Sequence, residues 1–173
     1  VIGTSGTILS LGTRAARAPR QADDLRNVRV TARDLSRLRE RLTAIADASA
    51  IVGSHATRAQ GTIGGNVMNA SPAMDTGGPL LCLGATVTLR SATGERTLGL
   101  DELWTGPGQT IATAQELLTA VQIPLPAPGT GSAYVRLEYR RQMESAVVSA
   151  TAVVAVEGDH VTDARIAMTA LAS

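Results

Sequence analysis

Phenylalanine is absent from the 173 residues, and all aromatics together make up 2%. Any core must therefore be aliphatic, built from Ala, Val, Leu and Ile. Cysteine occurs once, at Cys82. A single thiol makes no internal disulfide and cannot hold an iron–sulfur cluster alone. Any cluster the protein works with must then sit on another chain or segment. Net charge is only +1, which gives no reason to expect a nucleic acid or an anionic membrane as partner. No apolar run is long enough to span a bilayer and no signal peptide is visible, so the cytoplasm is the default expectation. A nucleophile–base pair, a metal cluster and a carboxylate dyad are all missing. So is the Gly-Lys-Ser/Thr ending of the nucleotide-hydrolase phosphate loop, and no Gly-x-Gly-x-x-Gly links a strand to a helix.

What remains is a globular composition, with 44% hydrophobic and 18% charged residues, on a chain long enough for one or two small domains. Its most distinctive stretch is Gly61-Thr62-Ile63-Gly64-Gly65-Asn66-Val67-Met68-Asn69-Ala70-Ser71-Pro72-Ala73-Met74-Asp75. Glycine is entropically costly inside a helix, and Asn and Ser compete there for backbone bonds. The stretch is therefore expected to be a loop. Gly64 and Gly65 can adopt positive φ and bare their N–H groups, and consecutive bare N–H groups form a concave anion site. Thr62, Asn66, Asn69 and Ser71 add hydrogen-bonding side chains. Asp75 would repel a phosphate, and it suits a ribose hydroxyl or a ring N–H, from which it can accept. The alternative is an ordinary glycine turn that binds nothing.

The flanking sequence is ordered by periodicity. Thr31-Ala32-Arg33-Asp34 resembles a capping box, and Leu35, Leu38, Leu42 and Ile45 follow at helical spacing. Ala44 to Ser54 is expected to continue as a helix into the loop, with His55 a hydrogen-bonded structural histidine. Pro79 to Gly84 reads as a short buried helix or turn, with Cys82 as a small hydrophobe. Ala85 to Arg90 alternates as a strand, and Arg96 to Leu98 returns as its hairpin partner. Leu100 to Leu103 is expected to be a helical turn, with Asp101 and Glu102 on a solvated face. Trp104 to Gly108 reads as a loop, its indole either covering the core or stacking on a cofactor. Leu117 to Ile123 is a strand stopped by Pro124, and Pro126, Pro128 and Gly129 form a stiff linker. Tyr134 to Arg141 is strand-like. Ala146–Val156 and Ala164–Leu171 read as antiparallel strands around a Glu157-Gly158-Asp159 turn.

From about Ile45 to Ser173 the sequence resembles the FAD-binding flavoprotein, or medium, subunit of molybdenum hydroxylases. Carbon monoxide dehydrogenase and xanthine dehydrogenase belong to this family. The likeness is carried by Ser54-His55-Ala56-Thr57-Arg58-Ala59-Gln60 leading into Thr62–Asn66, then by Asn69–Ala73 and Asp75. It continues through Gly84-Ala85, Glu116-Leu117-Leu118, Ile123-Pro124, Tyr134–Leu137, Arg140, Arg141 and Glu144. Ser145 departs from the apolar residue expected beside Glu144.

The resemblance implies an α+β fold, with part of an FAD-binding domain over 45–124 and the start of a small C-terminal α+β domain over 125–173. It implies FAD as cofactor. The diphosphate would be held by Thr62, Ile63, Gly64, Gly65 and Asn66, with the Thr62 hydroxyl and the amides of Gly64 to Asn66 donating. Asp75 would accept from a ribose or ring group. Leu118 would pack on the ring or adenine side, and Arg136 would stand where relatives often carry a lysine near the flavin. No residue of the chain is implied to be catalytic and none to bind metal. The implied partners are a molybdopterin-binding large subunit and an iron–sulfur small subunit. Electrons would pass from the clusters through FAD to an external acceptor.

One expected part is missing. The family carries a further loop of the type Gly-Gly-x-Ser/Thr-Asp/Leu upstream, which Gly3-Thr4-Ser5-Gly6-Thr7 does not match. Val1 to about Leu42 instead resembles a piece of the exopolyphosphatase and guanosine pentaphosphate phosphatase family. A seam between unlike sequences near Leu42–Ala48 is one reading; an N-terminal extension of the flavoprotein over 1–44 is the other. The start at Val1 rather than Met suggests a fragment. A phosphatase fragment and an inactive truncated or fused polypeptide are the rival functional readings.

Overall fold

The computed structural model describes residues 32–140 and 143–171. The phosphatase-like segment up to residue 31 and Arg141 lie outside the described residues. Two helices open the described chain, α1 (Ala32–Arg41) and α2 (Thr43–Ile51). The Leu35–Ile45 periodicity predicts one continuous helix, but the backbone breaks at Leu42 (φ −121°, ψ 35°). There the Thr43 hydroxyl donates to the Glu40 carbonyl at 2.8 Å, a side-chain bond of the kind that competes with helix propagation. Leu42 still packs against the core, and Ala44, Ile45 and Ala48 of α2 are buried.

The Gly61–Asp75 stretch predicted as a loop contains a short helix, α4 (Ile63–Met68), and another short helix, α3 (His55–Gln60), precedes it. This corrects the expectation for 63–68, and the cause is capping. Ser54 caps α3 by accepting from the Thr57 N–H at 3.2 Å. Thr62, extended at φ −121° and ψ 155°, caps α4 by accepting from the Gly65 N–H. Gly64 and Gly65 fall in the first turn, where no preceding turn has to be continued, and the fully buried Val67 anchors the helix to the core. A cap contributes about 1 kcal/mol, comparable with the cost of one glycine.

Helix α5 (Gly77–Cys82) is almost wholly buried. It leads into the antiparallel sheet β2-β1-β5, made of β1 (Thr86–Ser91), β2 (Gly94–Gly99) and β5 (Leu117–Gln122). Val87 and Leu89 of the central strand are fully buried. Helix α6 (Leu100–Leu103) follows β2. The Trp104–Gly108 segment is tighter than the predicted loop. It forms a hairpin of β3 (Trp104–Gly106) and β4 (Gln109–Thr110), with Gly108 at φ +67° in the turn. A residue with φ in that region is most readily glycine. The Trp104 indole packs on the core, and its Nε1–H donates to the Val67 carbonyl at 2.9 Å. The indole thereby ties β3 to α4.

The C-terminal part is a second antiparallel sheet in the order β6-β7-β8, made of β6 (Thr130–Leu137), β7 (Val148–Glu157) and β8 (His160–Thr169). One face of β7, carrying Ser149, Thr151 and Val153, is buried. Helix α5 lies against it so closely that a Cβ on Gly78 would stand 2.9 Å from the Thr151 hydroxyl. Helix α2 meets β6 where the Ala44 N–H donates to Ser132 Oγ at 3.2 Å. The core joining these elements consists of Ile45, Val67, Leu80, Leu83, Val87, Leu89, Leu100, Leu103 and Val153, with Cys82 and Ala85. It is aliphatic, as the lack of phenylalanine requires, and Cys82 is a buried member of it. No helix among the described residues is long and apolar enough to cross a membrane.

Candidate functional site

A cavity of about 440 Å³ opens between the end of α2, α3 and the first turn of α4. Its walls include Val52, Thr57, Arg58, Thr62, Ile63, Gly65, Asn66, Asn69 and Thr76. Hydrogen-bond donors converge on it. The Gly65 N–H is taken by Thr62 Oγ1 at 3.0 Å, and the Asn66 N–H by the Thr62 carbonyl at 3.1 Å. These two amides are therefore not the free donors expected of them. The free ones are those of Ile63 and Gly64, which lack an intrahelical acceptor by helix geometry and have no partner among the described residues. Thr62 Oγ1 accepts from Gly65, so its own O–H remains to donate. The Thr76 hydroxyl donates to Asn66 Oδ1 at 2.5 Å, which orients the carboxamide and leaves its NH₂ for a ligand.

Four of the predicted site residues thus share one wall: Thr62, Ile63, Gly65 and Asn66. Gly64, between them in sequence, is not itself a wall residue, and a Cβ on it would stand 3.1 Å from Leu118 Cδ2. Leu118 on β5 packs against the back of the glycine turn and is not part of the cavity wall. The strand carrying it is pinned at its start by Glu116, which accepts from Arg96 Nε at 2.6 Å and from the Thr113 N–H at 2.8 Å. The Arg96 contact, aided by the Thr113 N–H, holds the Glu116 carboxyl down at about 2.

Asp75 and Arg136 find each other. Arg136 Nη1 lies 3.1 Å from Asp75 Oδ2, and their side chains are 2% and 8% exposed, respectively. The Tyr134 hydroxyl donates to Asp75 Oδ1 at 2.6 Å. Glu138 takes the other side of the guanidinium, accepting from Nε at 2.8 Å and also from Nη2. Burial and the bond to Asp75 push the Tyr134 phenol up, which keeps it a donor. Burial pulls the Arg136 guanidinium down, but Glu138 and Asp75 outweigh it and the net direction is up. Neither Asp75 nor Arg136 belongs to the cavity wall. Asp75 is a carboxylate already committed to two donors, with only its remaining lone pairs for a ribose.

Sequence reasoning missed Arg58 and Thr76 as wall residues. Arg58 sits in the Ser54–Gln60 run, but nothing in its spacing shows that α3 would turn it toward the cavity. Thr76 follows the last residue of the distinctive stretch, and only the fold brings it to Asn66.

Residues 27–126 match the family model described as the FAD binding domain in molybdopterin dehydrogenase. The chain belongs to the FAD-binding flavoprotein subunits of the molybdenum hydroxylases. FAD is the cofactor of this flavoprotein family, and the donors around the cavity suit an anionic part of it. The matched segment takes in residues 27–44, part of the stretch for which a seam between unlike sequences and an N-terminal extension of the flavoprotein were both open. The chain is 33% identical to the carbon monoxide dehydrogenase medium chain of Afipia carboxidovorans over 136 residues, covering 79% of this chain and 47% of that one. It is 32% identical to the glyceraldehyde dehydrogenase medium chain of Sulfolobus acidocaldarius over 120 residues, or 69% of this chain and 42% of that one. Among solved structures it resembles reconstituted CO dehydrogenase from Oligotropha carboxidovorans, with TM-score 0.72 and 32% identity over 76% of this chain and 46% of that one. The flavoprotein chain thus spans about half the length of the curated relatives it matches.

Proposed function

We propose that the chain serves as the FAD stage of a molybdenum hydroxylase. A molybdopterin-binding large subunit and an iron–sulfur small subunit are its partners, and an external acceptor takes the electrons. The chemistry supplied by bound FAD is electron relay. The chain's own residues bind and orient it. The observation that carries this reading is the wall of donors at Thr62–Asn66 in a chain of this family. In this reading Thr62 Oγ–H, the Ile63 and Gly64 amides and the Asn66 NH₂ donate to the diphosphate. Each such charge-assisted bond contributes about 1.5–3 kcal/mol.

Gly65, lacking a Cβ, keeps the wall open. Leu118 and the Asp75–Arg136 pair act from behind. Leu118 seats the glycine turn, and Asp75, held by Tyr134 and Arg136, fixes the chain next to Thr76. Asp75 offers its remaining lone pairs to a ribose hydroxyl.

The test is the purified protein itself. It is expected to carry flavin absorbance bands and to release FAD on denaturation. A colourless protein that neither retains nor takes up FAD would refute the reading. Phosphate release from polyphosphate by such a colourless protein would point to the phosphatase alternative.

A further inference from the structure

Arg58 is the one ionisable side chain on the cavity wall among the described residues. It is half-buried, and no carboxylate pairs with it among the described residues. Its neighbours orient the guanidinium without neutralising it. Nη1 donates to the Val52 carbonyl at 2.8 Å, and Nη2 lies 3.4 Å from His55 Nδ1. A guanidinium has five N–H donors, so most of its donor capacity is left over. Arg96, Arg136 and Arg165, in contrast, are each held by an acid. The acid nearest in sequence to the wall, Asp75, is already neutralised by Arg136. The cavity is therefore a cationic cup, with a cation on α3 facing the donors of α4.

We infer that Arg58 is a cofactor-binding residue that supplies the positive charge for the FAD diphosphate and makes the cavity select a dinucleotide over an uncharged flavin. The planar fork of arginine matches two phosphate oxygens at once, as a lysine ammonium cannot. The inference rests on the reading that this cavity takes the diphosphate. The amides of Ile63 and Gly64 would fix its position and Arg58 would balance its charge.

The experiment measures FAD affinity of the intact protein after flavin removal, by quenching of flavin fluorescence, at low and high salt. Arg58→Gln is expected to weaken FAD binding by about 10- to 100-fold and to flatten its salt dependence, since one screened charge pair is gone. Arg58→Lys should fall between the two. The unfolding temperature without FAD reports on the Val52 contact separately. Gly65→Val serves as the control for the cavity itself. If Arg58→Gln binds FAD within about twofold of the unaltered protein while Gly65→Val loses it, the role of Arg58 is refuted and the cavity reading stands. If both variants bind FAD normally, both ideas fail. Should Arg58→Gln not fold, Arg58→Lys decides: weaker binding supports the inference and unchanged affinity overturns it.

Discussion

Replacing Arg136 by methionine is expected to destabilise the fold by about 3–5 kcal/mol. The guanidinium is almost fully buried between Asp75 and Glu138, so the usual discount for a solvent-exposed pair does not apply. Its removal leaves the Asp75 carboxylate buried with only the Tyr134 hydroxyl as donor. A buried charge stripped of its partner carries the full desolvation penalty. Asp75→Asn should cost less. In that variant Arg136 keeps Glu138, and the neutral amide can still accept from Tyr134. The asymmetry is the informative part, and urea unfolding of the two variants measures it. Equal losses would mean that Glu138 contributes nothing to holding Arg136. A loss under about 1 kcal/mol in Arg136→Met, the range of exposed ion pairs, would mean that the pair is solvated rather than buried.

The second large effect is on cofactor affinity. Gly65→Val is expected to weaken FAD binding by about 100-fold or more, the equivalent of two lost charge-assisted bonds. A Cβ at this position would stand 3.3 Å from Thr62 Oγ1 and meet nothing else within 4 Å. Valine therefore crowds the hydroxyl that caps α4 and puts its two methyl groups on the wall that should receive the phosphates. Valine is also a better helix residue than glycine, so α4 itself has no propensity reason to melt. Gly65→Ala should show a smaller loss, because a single methyl meets only the hydroxyl. Titration with FAD, alongside thermal unfolding of the flavin-free protein, separates lost binding from lost fold. Full affinity in Gly65→Val would remove this wall from the binding site.

Much of this architecture was legible because the governing patterns are local. The alternation in Ala85–Arg90, the return at Arg96–Leu98 and the Glu157-Gly158-Asp159 turn each specify a hairpin without distant information, and the strands form there. The missing phenylalanine forecast an aliphatic core. Two local features were outweighed. Composition argued for a loop at Gly61–Asp75, but the Thr62 cap and the buried Val67 make 63–68 helical. The punctuation at Trp104–Gly108 argued for a loop, but a turn at Gly108 closes a hairpin, with Trp104 held by Val67.

The site was legible only in part, because its residues come from separated segments. Thr62–Asn66 are contiguous and stood out. Arg58 and Thr76 reach the same cavity only through the packing of α3 and the approach of residue 76 to Asn66. Asp75 and Arg136 stood out as individual residues, and their mutual pairing could not be read from positions 61 apart in sequence. The resemblance supplied the cofactor. The structure supplied the distinction between amides that are spent on the helix cap and amides that are free.

That distinction is open to direct measurement by hydrogen exchange of the backbone amides at residues 62–66, with and without saturating FAD. Without FAD, the Ile63 and Gly64 amides should exchange quickly, while the Gly65 and Asn66 amides, already bonded to Thr62, should be slower. Saturation with FAD is predicted to slow Ile63 and Gly64 strongly. Unchanged exchange at Ile63 and Gly64 under full FAD occupancy would place the diphosphate elsewhere and contradict the account.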